Sequence, residues 1–308
     1  MAVALVSTPV RTGAVVVSYH PELVGLEQLL SAIVPQVEVV WVVDNGSPES
    51  TCCALEALCT RYGAELVLYG ANRGIAAAHN EGLRRGQGQG LDAVVLFDQD
   101  SLPADDLVAR LVAASQAHGG DRVAAAGPVW VDQRSGRRGS FYRVRGGCIV
   151  PVPAEPEQAA QPVDFLISSG TLVWLASVRA IGLMRDEFFI DHVDTEWCLR
   201  AGRAGWQLLG VPNAVIRHAL GDATHRVWLG RWREVALHSP VRNYYEVRNS
   251  LLLMRAPGAD ANWRIAHGVR LLQLLVFYGL YVAPRWKRMW LMLRGLHDGL
   301  RGRGGPLC

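Results

Sequence analysis

The sequence predicts an α/β fold: a mostly parallel sheet flanked by helices, followed by a helical C-terminal extension. Three observations support this prediction. Short apolar runs alternate with helix-like segments through about the first 100 residues. Two carboxylates directly follow one of these runs, at the sheet edge where doubly wound folds bind their ligands. From Pro240 onward the pattern is predominantly helical.

Four short runs rich in β-branched residues are typical of buried parallel strands. Three helix-like segments lie between them, which is the order expected of repeated βαβ units with right-handed crossovers. The predicted strands are residues 14–18, 37–43, 64–69 and 91–97. The predicted helices are residues 22–33, 49–62 and 75–85.

The pattern is looser after residue 120. We expect strands at residues 123–131, 163–167, 172–175, 206–211 and 214–218, and a helix at 194–205. Residues 132–147, rich in Arg and Gly, indicate a loop or a hairpin. Residues 151–162 contain four prolines and are expected to form a surface excursion.

Composition and charge exclude several classes of protein. The chain has 308 residues, 50% of them hydrophobic, so it can bury a full core. A net charge of +3 is too balanced to indicate a nucleic-acid partner, although residues 217–308 carry 15 cationic and only 5 acidic side chains. The six cysteines lack disulfide or zinc spacing, and no secretion signal is recognisable. We therefore expect a cytoplasmic protein.

The most specific chemical signal is the pair Asp98 and Asp100, which follows the fourth predicted strand. One carboxylate is placed to accept from a sugar or ribose hydroxyl and the other to bind a hard cation. The alternative is a solvated loop that caps the next helix. Asp44 directly follows the second predicted strand, where its carboxylate is placed to accept from a nucleobase N–H. Asn72 and Gly74 follow the third, before a helix whose backbone amides are placed to approach a diphosphate. An ordinary Asp-Asn-Gly turn and close helix packing are the alternatives at these two places.

Taken together, these residues resemble glycosyltransferase family 2, whose nucleotide-sugar domain has the GT-A fold, and in particular its branch that uses dTDP-L-rhamnose. The resemblance covers about residues 13–305. Its motifs in the first half are Ser18-Tyr19 with Pro21, Asp44-Asn45-Gly46-Ser47, Asn72 with Gly74, Asn80 with Gly82, and Asp98-Gln99-Asp100-Ser101. Those in the second half are Ser168-Ser169-Gly170-Thr171, the run from Phe189 to Arg200, His218, Arg242-Asn243-Tyr244-Tyr245, Arg248-Asn249, and the run from Asp298 to Gly304.

The resemblance implies a division of the chain and a set of roles. Residues 1–12 are expected to be a flexible N-terminus, 13–235 the catalytic domain with a nucleotide-binding half (13–101) and an acceptor half (102–235), and 236–308 a basic helical extension. The implied metal, Mg²⁺ or Mn²⁺, is assigned to Asp100, Asp98 and His218. The implied nucleotide-sugar contacts are Ser18, Tyr19, Asp44, Asn72, Gly74, Asp98, Gln99, Arg242 and Arg248. The implied acceptor-side residues are Ser169, Gly170 and Trp197.

Inverting glycosyl transfer needs a base that takes the proton of the acceptor hydroxyl. The resemblance assigns this role to Asp194. Val193 stands where many family members have Glu, so Asp191 and Glu196 remain alternative catalytic carboxylates. Asp194 and Glu196 also have a structural interpretation, as acids of the first turn of a helix.

The basic tail contains an apolar run of 13 residues, 271–283, flanked by Arg and Lys and followed by Trp286 and Trp290. This run is shorter than the roughly 20 residues that span a bilayer. It suits a helix lying on the inner face of the cell membrane, or a helical hairpin packed on the catalytic domain or on a second subunit of a homo-oligomer. A lipid-linked glycan acceptor is consistent with the membrane alternative.

The resemblance therefore implies an inverting, metal-dependent glycosyltransferase that transfers L-rhamnose from dTDP-L-rhamnose to a cell-envelope polysaccharide or a lipid-linked glycan. Another nucleotide sugar, such as a UDP-sugar, is the first alternative. A sugar-phosphate nucleotidyltransferase is the second, and it is disfavoured because Tyr19-His20-Pro21-Glu22 is not a glycine-rich loop. A non-catalytic glycan-binding protein is the third.

Overall fold

A computed structural model describes residues 9–119, 122–133, 136–218, 223–228 and 232–307. Most of the predicted flexible N-terminus lies outside these residues. The strands of the described part are β1 Thr12–Ser18, β2 Val39–Asp44, β3 Glu65–Leu68, β4 Ala93–Asp98, β5 Ser101–Pro103, β6 Val123–Asp132, β7 Phe141–Arg145, β8 Cys148–Val152, β9 Gln161–Val163, β10 Leu172–Trp174, β11 Gln207–His218, β12 Ala223–Trp228 and β13 Trp232–Leu237. Its α-helices are α1 Leu23–Ile33, α2 Glu49–Tyr62, α3 Ile75–Gly88, α4 Leu107–Ala117, α5 Leu175–Ile181, α6 Val193–Arg203, α7 Pro240–Arg255, α8 Ala261–Leu280 and α9 Arg285–Leu300.

One sheet organises the molecule. Its strands lie in the order β3-β2-β1-β4-β10-β6-β11-β5, and β9 pairs with β11. The strands β1 to β4 are mutually parallel where they pair, whereas β10 runs antiparallel to both β4 and β6. The predicted α/β class with a mostly parallel sheet is therefore confirmed.

The first strand shows why these apolar runs become strands. Val15 and Val17 of β1 pack into one buried cluster, and Ala14 and Val16 pack into a second cluster on the other face of the sheet. Because successive side chains of a strand point to opposite faces, a run that is apolar at every position is buried on both sides. Helices therefore have to cover both faces of the sheet.

The elements after residue 120 differ in part from the predicted ones. Residues 206–211 and 214–218 form a single strand, β11, with a register irregularity between Val211 and Val215. The strand predicted at 163–167 is shifted toward the N-terminus, to β9. The segment 132–147 contributes to a hairpin of β7 and β8, one of the two alternatives. A further hairpin, β12 with β13, was not predicted; it spans the proposed division at residue 235, which stays a prediction.

The C-terminal extension is helical, as predicted. Helix α9 packs closely on α7, because Gly295 allows the two backbones to approach. A Cβ atom at residue 295 would lie 2.6 Å from the carbonyl oxygen of Tyr244. No helix in the described part of the chain is both long and apolar enough to cross a membrane.

Candidate active site

The carboxyl ends of three adjacent strands bring the first set of predicted residues together. In the register of the sheet, Ser18 lies opposite Asp44, and Val17 lies opposite Asp98. Because β1 lies between β2 and β4, the two aspartates are two strand spacings apart, on the order of 10 Å. The predicted meeting of these residues at one sheet edge is therefore observed.

Asp44 anchors the turn that follows β2. Its carboxylate accepts hydrogen bonds from the backbone N–H groups of Gly46 (3.1 Å) and Ser47 (2.8 Å). It also accepts from the hydroxyls of Ser18 (3.1 Å) and Ser47 (2.5 Å). These four bonds occupy the acceptor capacity of a carboxylate, and the side chain is buried. A nucleobase N–H has to displace one of them to reach Asp44.

Gln99 connects the end of β4 to the end of β1. Its side-chain oxygen accepts from the N–H of Tyr19 at 2.7 Å, and its amide nitrogen donates to the carbonyl of Tyr19 at 3.2 Å. This pair of bonds holds the Tyr19 backbone while its ring stays exposed. The ring is therefore available for stacking, whereas Gln99 acts by fixing the loop.

The two carboxylate oxygens of Asp98 differ in their hydrogen bonding. Its Oδ2 accepts a hydrogen bond from the hydroxyl of Ser169, which lies in the loop before β10. Its Oδ1 is buried and has no hydrogen-bond partner among the described residues. A buried carboxylate oxygen without a partner is costly, so this atom fits a ligand such as a cation or a hydroxyl group. Asp100 lies on the exposed turn two residues later.

The residues present fit a divalent cation at this edge. Among the described residues no group of three or more His, Cys, Asp or Glu side chains is arranged as a metal site. Mg²⁺ is commonly bound through one or two carboxylates together with substrate phosphates, so Asp98 and Asp100 suffice as protein ligands. The backbone of His218 pairs with that of Ser101, directly after Asp100. The side chain of His218 lies outside the described part of the chain.

The loop of Asn72 and Gly74 joins the two halves of the site. Asn72 accepts from the N–H of Gly74 at 2.9 Å, and Gly74 adopts a positive φ of 86°. A Cβ atom on Gly74 would lie 2.6 Å from the carbonyl oxygen of Phe189, and the N–H of Ile75 donates to that oxygen at 2.7 Å. The nucleotide-side loop is thus packed directly on the segment that precedes α6.

Asp194 lies in the first turn of α6. Its Oδ2 accepts from the N–H of Ser168 at 3.2 Å, and its Oδ1 accepts from the N–H of Thr195 at 2.7 Å. Burial raises the pKa of Asp194 to about 6; these hydrogen bonds lower it, and the nearby charge of Asp98 raises it further. A carboxylate with such a pKa is poised to accept a proton near neutral pH.

The alternative carboxylates are engaged elsewhere. Asp191 forms an ion pair with Arg242, with Nε and Oδ1 at 2.9 Å. Glu196 is fully buried and pairs with Arg200 at 2.8 Å and with Arg185 at 3.3 Å. Glu196 therefore has a structural environment, whereas Asp191 lies at the edge of the site beside Arg242. Burial lowers the pKa of Arg242, but the charge and hydrogen bond of Asp191, and then the charges of Glu246 and Asp98, raise it overall.

Two of the predicted contact residues are core residues instead. The guanidinium of Arg248 is buried and donates to the carbonyls of Glu187 (3.1 Å) and Phe188 (3.0 Å). Trp197 is only 2% exposed, and its indole N–H donates to the carbonyl of Gly182 at 2.9 Å. We correct both assignments, because neither side chain presents a free group to a ligand. Gly170 has a left-handed backbone conformation (φ 77°) and is packed against Pro128 and Ile216, where a Cβ atom would not fit.

Three residues near the site were not predicted from sequence. His79 of α3 is buried close to Asp98, and burial lowers its pKa to about 4 despite that carboxylate. Ser168 was noticed only as part of a motif, although its N–H contacts Asp194. Glu246 lies near Asp191; burial, and then the charge of Asp191, raise its pKa to about 7. Its spacing of four from Arg242 on one helix face was the available signal.

The fold and this arrangement of carboxylates define a nucleotide-sugar glycosyltransferase of the GT-A type. Residues 14–156 match the family model described as glycosyl transferase family 2. The chain is 33% identical over 246 residues to the dTDP-rhamnosyl transferase RfbF of Shigella flexneri, covering 79% of each protein. The chain belongs to glycosyltransferase family 2.

Solved structures show the same fold at low sequence identity. The mannosyltransferase PcManGT from Pyrobaculum calidifontis, in complex with GDP-Man and Mn²⁺, has a TM-score of 0.55 at 17% identity, over 96% of this chain and 75% of that chain. TarS 1–349 from S. aureus with UDP-GlcNAc has a TM-score of 0.56 at 14% identity, over 95% and 81%. GalNAc-T7 with UDP, GalNAc and Mn²⁺ has a TM-score of 0.57 at 12% identity, and this chain spans 58% of its length.

Proposed function

We propose that the protein is a metal-dependent, inverting rhamnosyltransferase that moves L-rhamnose from dTDP-L-rhamnose to a cell-envelope polysaccharide or a lipid-linked glycan. The observation that carries the proposal is the convergence of Asp98 and Asp194, which accept hydrogen bonds from the neighbouring residues Ser169 and Ser168. The choice of donor rests on the relative that is named as a dTDP-rhamnosyl transferase.

The chemistry follows from the two carboxylates. Asp194 takes the proton of the acceptor hydroxyl while the oxygen of that hydroxyl forms a bond to the anomeric carbon of the donor sugar. The bond between the anomeric carbon and the diphosphate oxygen breaks on the opposite face, and the diphosphate leaves with the electron pair. The configuration at the anomeric carbon is thereby inverted. Asp98 and Asp100 are the residues that would hold Mg²⁺ or Mn²⁺, which when bound neutralises the charge of the leaving diphosphate. Arg242, near Asp98, adds a positive charge on the same side.

The acceptor enters from the side of Ser169 and of the segment before α6. This places the acceptor hydroxyl between Asp194 and the donor. We propose that the protein works in the cytoplasm, at the inner face of the cell membrane, where a lipid-linked glycan is available. Light scattering of the full chain tests whether it forms a homo-oligomer.

A thermal-shift panel of nucleotide sugars, with and without Mn²⁺, tests the donor and the metal. A ligand raises the melting temperature only if it prefers the folded state, so dTDP-L-rhamnose with Mn²⁺ is expected to give the largest increase. Stabilisation by UDP-sugars and not by dTDP-L-rhamnose would contradict the donor assignment. The anomeric configuration of the product, read by NMR against that of the donor, tests inversion.

A further inference from the structure

Helix α8 exposes a continuous apolar stripe. Its exposed large aliphatic side chains recur at intervals of three or four residues, and they are Ile265, Val269, Leu272, Val276 and Leu280. At about 100° of rotation per residue, these positions fall within an arc of about 80° on one side of the helix. Leu272 is 62% exposed. Such a narrow stripe is what remains uncovered when the opposite side of an amphipathic helix packs on a protein.

Helix α9 exposes a second stripe with the same geometry. Its members are Trp286, Trp290, Leu293 and Leu300, which also fall within about 80°. Trp286 is 89% exposed, an unusual state for the largest apolar side chain. We call the exposed side chains of α8 and α9 together the C-terminal apolar face. Indole rings at its border are typical of the water–lipid interface, because they combine an apolar body with a polar N–H.

The charges around this face have one sign. Residues 261–297 contain no Asp or Glu and six cationic side chains, Arg264, Arg270, Arg285, Lys287, Arg288 and Arg294. Arg288 is buried and donates to the carbonyl of His238 at 2.9 Å, so it serves packing. The other five lie at or near the surface. Arg264 and Lys287 lie about 100° from the apolar stripes of their helices, a position from which long cationic side chains reach phosphate groups.

The one-sided charge distinguishes between possible occupants of the face. A two-fold dimer through the C-terminal apolar face would place this patch against an identical patch. Asp298 of α9 is buried and pairs with Arg294 at 4.0 Å, which leaves four surface cations of each copy facing four of the other without an acid from the same helices. An anionic bilayer supplies apolar chains for the two stripes and negative headgroups for the flanking cations. No helix in the described part of the chain is long and apolar enough to cross a membrane, and the two exposed stripes suit helices that lie along the surface.

The same helix reaches the catalytic side. On the inner side of α8, the ring of His267 is stacked on Trp263 and lies 5.7 Å from the ring of His192. His192 is two residues before Asp194. A bilayer on the outer side of α8 is therefore about one helix diameter, on the order of 10 Å, from the segment that carries the proposed base.

We infer that the C-terminal apolar face docks the enzyme on an anionic lipid bilayer, with α8 and α9 parallel to the surface. This inference rests on the proposed function in one respect: docking would bring a membrane-anchored acceptor to Asp194. The docking itself depends on the face alone.

Co-sedimentation of the full chain with vesicles tests the docking. The protein is expected to bind vesicles of phosphatidylcholine with about one-third phosphatidylglycerol, and to bind pure phosphatidylcholine much more weakly. Leu272→Ser with Val276→Ser, and separately Trp286→Ser with Trp290→Ser, are expected to abolish most of the binding. Arg264→Gln with Lys287→Gln should weaken binding about fivefold for each cation removed. The matched control is Val24→Ser, which replaces a residue 60% exposed on α1 and should change nothing.

The variants also separate this inference from the proposed function. All four proteins are expected to keep the wild-type melting temperature and its increase with dTDP, because the exchanged side chains are exposed and none is among the residues assigned to the site. Wild-type protein that stays in the supernatant with both vesicle types would overturn the docking and leave the proposed transfer untouched. A dimer seen by light scattering that Leu272→Ser with Val276→Ser converts to a monomer would show that the face pairs two copies, and would equally overturn it. Absence of any dTDP response in a vesicle-binding wild type would count against the proposed function alone.

Discussion

Asp98 and Asp194 accept hydrogen bonds from consecutive residues of one segment: the Ser169 hydroxyl donates to Asp98, and the Ser168 N–H donates to Asp194 at 3.2 Å. Neighbouring Cα atoms are 3.8 Å apart, so this dipeptide fixes the separation of the two carboxylates within narrow limits. One carboxylate lies at the end of a central strand and the other at the start of α6. The loop before β10 is therefore the part of the fold that assembles the site.

Asp194→Asn tests the base directly. An amide cannot take the proton of the acceptor hydroxyl, so we expect kcat to fall by about 10²- to 10⁴-fold while dTDP still raises the melting temperature. Initial-rate assays of sugar transfer measure the loss. Glu187→Gln is the matched control, because this carboxylate lies in the segment before the same helix and its side chain is 53% exposed. Transfer by Asp194→Asn at the wild-type rate would exclude Asp194 as the base.

The same variant is expected to be more stable than the wild type at neutral pH. Burial raises the pKa of Asp194 from 3.8 to about 6 in the folded protein, so the ionised form is disfavoured by folding. This penalty is absent at low pH, grows between about pH 4 and 6, and reaches at most about 3 kcal/mol above pH 6. Asn has no such penalty, although it loses part of the hydrogen bonding. Thermal unfolding at pH 4.5 and pH 7.5 should show a gain for Asp194→Asn only at the higher pH.

The pH dependence of transfer provides an independent check on the same group. The base is active when deprotonated, so kcat/KM should fall about tenfold for each pH unit below about 6. A flat profile between pH 5 and 7 would indicate that another group accepts the proton. Glu246, whose pKa is raised to about 7, would instead place the decrease about one pH unit higher.

Ser169→Ala tests the support of Asp98. Loss of this hydroxyl leaves a buried carboxylate oxygen without its donor, which costs on the order of 1–3 kcal/mol. We expect binding of Mn²⁺ with dTDP, measured by calorimetry, to weaken about 5- to 100-fold. Ser168→Ala is a closely matched control, because Asp194 is contacted by the backbone N–H of residue 168, which alanine retains. Equal effects of the two substitutions would show that the loop as a whole, and not the Ser169 hydroxyl, supports the site.

The residues at the sheet edge could be predicted from the sequence, because the apolar runs that form strands and the residues that follow them are recognisable from local sequence alone. Apolar runs identify the strands, and parallel strands place Asp44 and Asp98 at one edge, as the structure shows. The roles of Arg248 and Trp197 were not accessible in this way. Both sit in motifs that suggested contacts, but whether a side chain faces a ligand or the core depends on helix packing far along the chain, such as that of α7 on α9. The hairpin of β12 and β13 has a mixed polar pattern and gave no clear signal.

Arg242 and Arg248 lie on the same helix and should respond differently to replacement by lysine. Arg248 is fully buried and donates to three backbone carbonyls, those of Glu187, Phe188 and Gly305, in a geometry that lysine cannot reproduce. Arg248→Lys is therefore expected to lower the free energy of unfolding by several kcal/mol, in line with the loss of a buried network, with little change in the KM for the donor. Arg242→Lys should keep most of the stability and raise that KM, since its guanidinium is partly exposed beside Asp191.

Gly74→Ala tests whether the nucleotide-side loop has to touch the segment before α6. The added Cβ would lie 2.6 Å from the carbonyl oxygen of Phe189 and 2.7 Å from its ring, and the residue has a φ of 86°. Both the clash and the strain act here, so we expect a loss of several kcal/mol in unfolding free energy and little dTDP binding at temperatures where the variant is folded. Gly70→Ala separates the two causes, because Gly70 has a φ of 67° and no atom within 4 Å of the added Cβ. Strain alone costs about 1–2 kcal/mol. If denaturant unfolding and dTDP titration gave the same losses for both variants, the contact with Phe189 would have no specific role in holding the two halves of the site together.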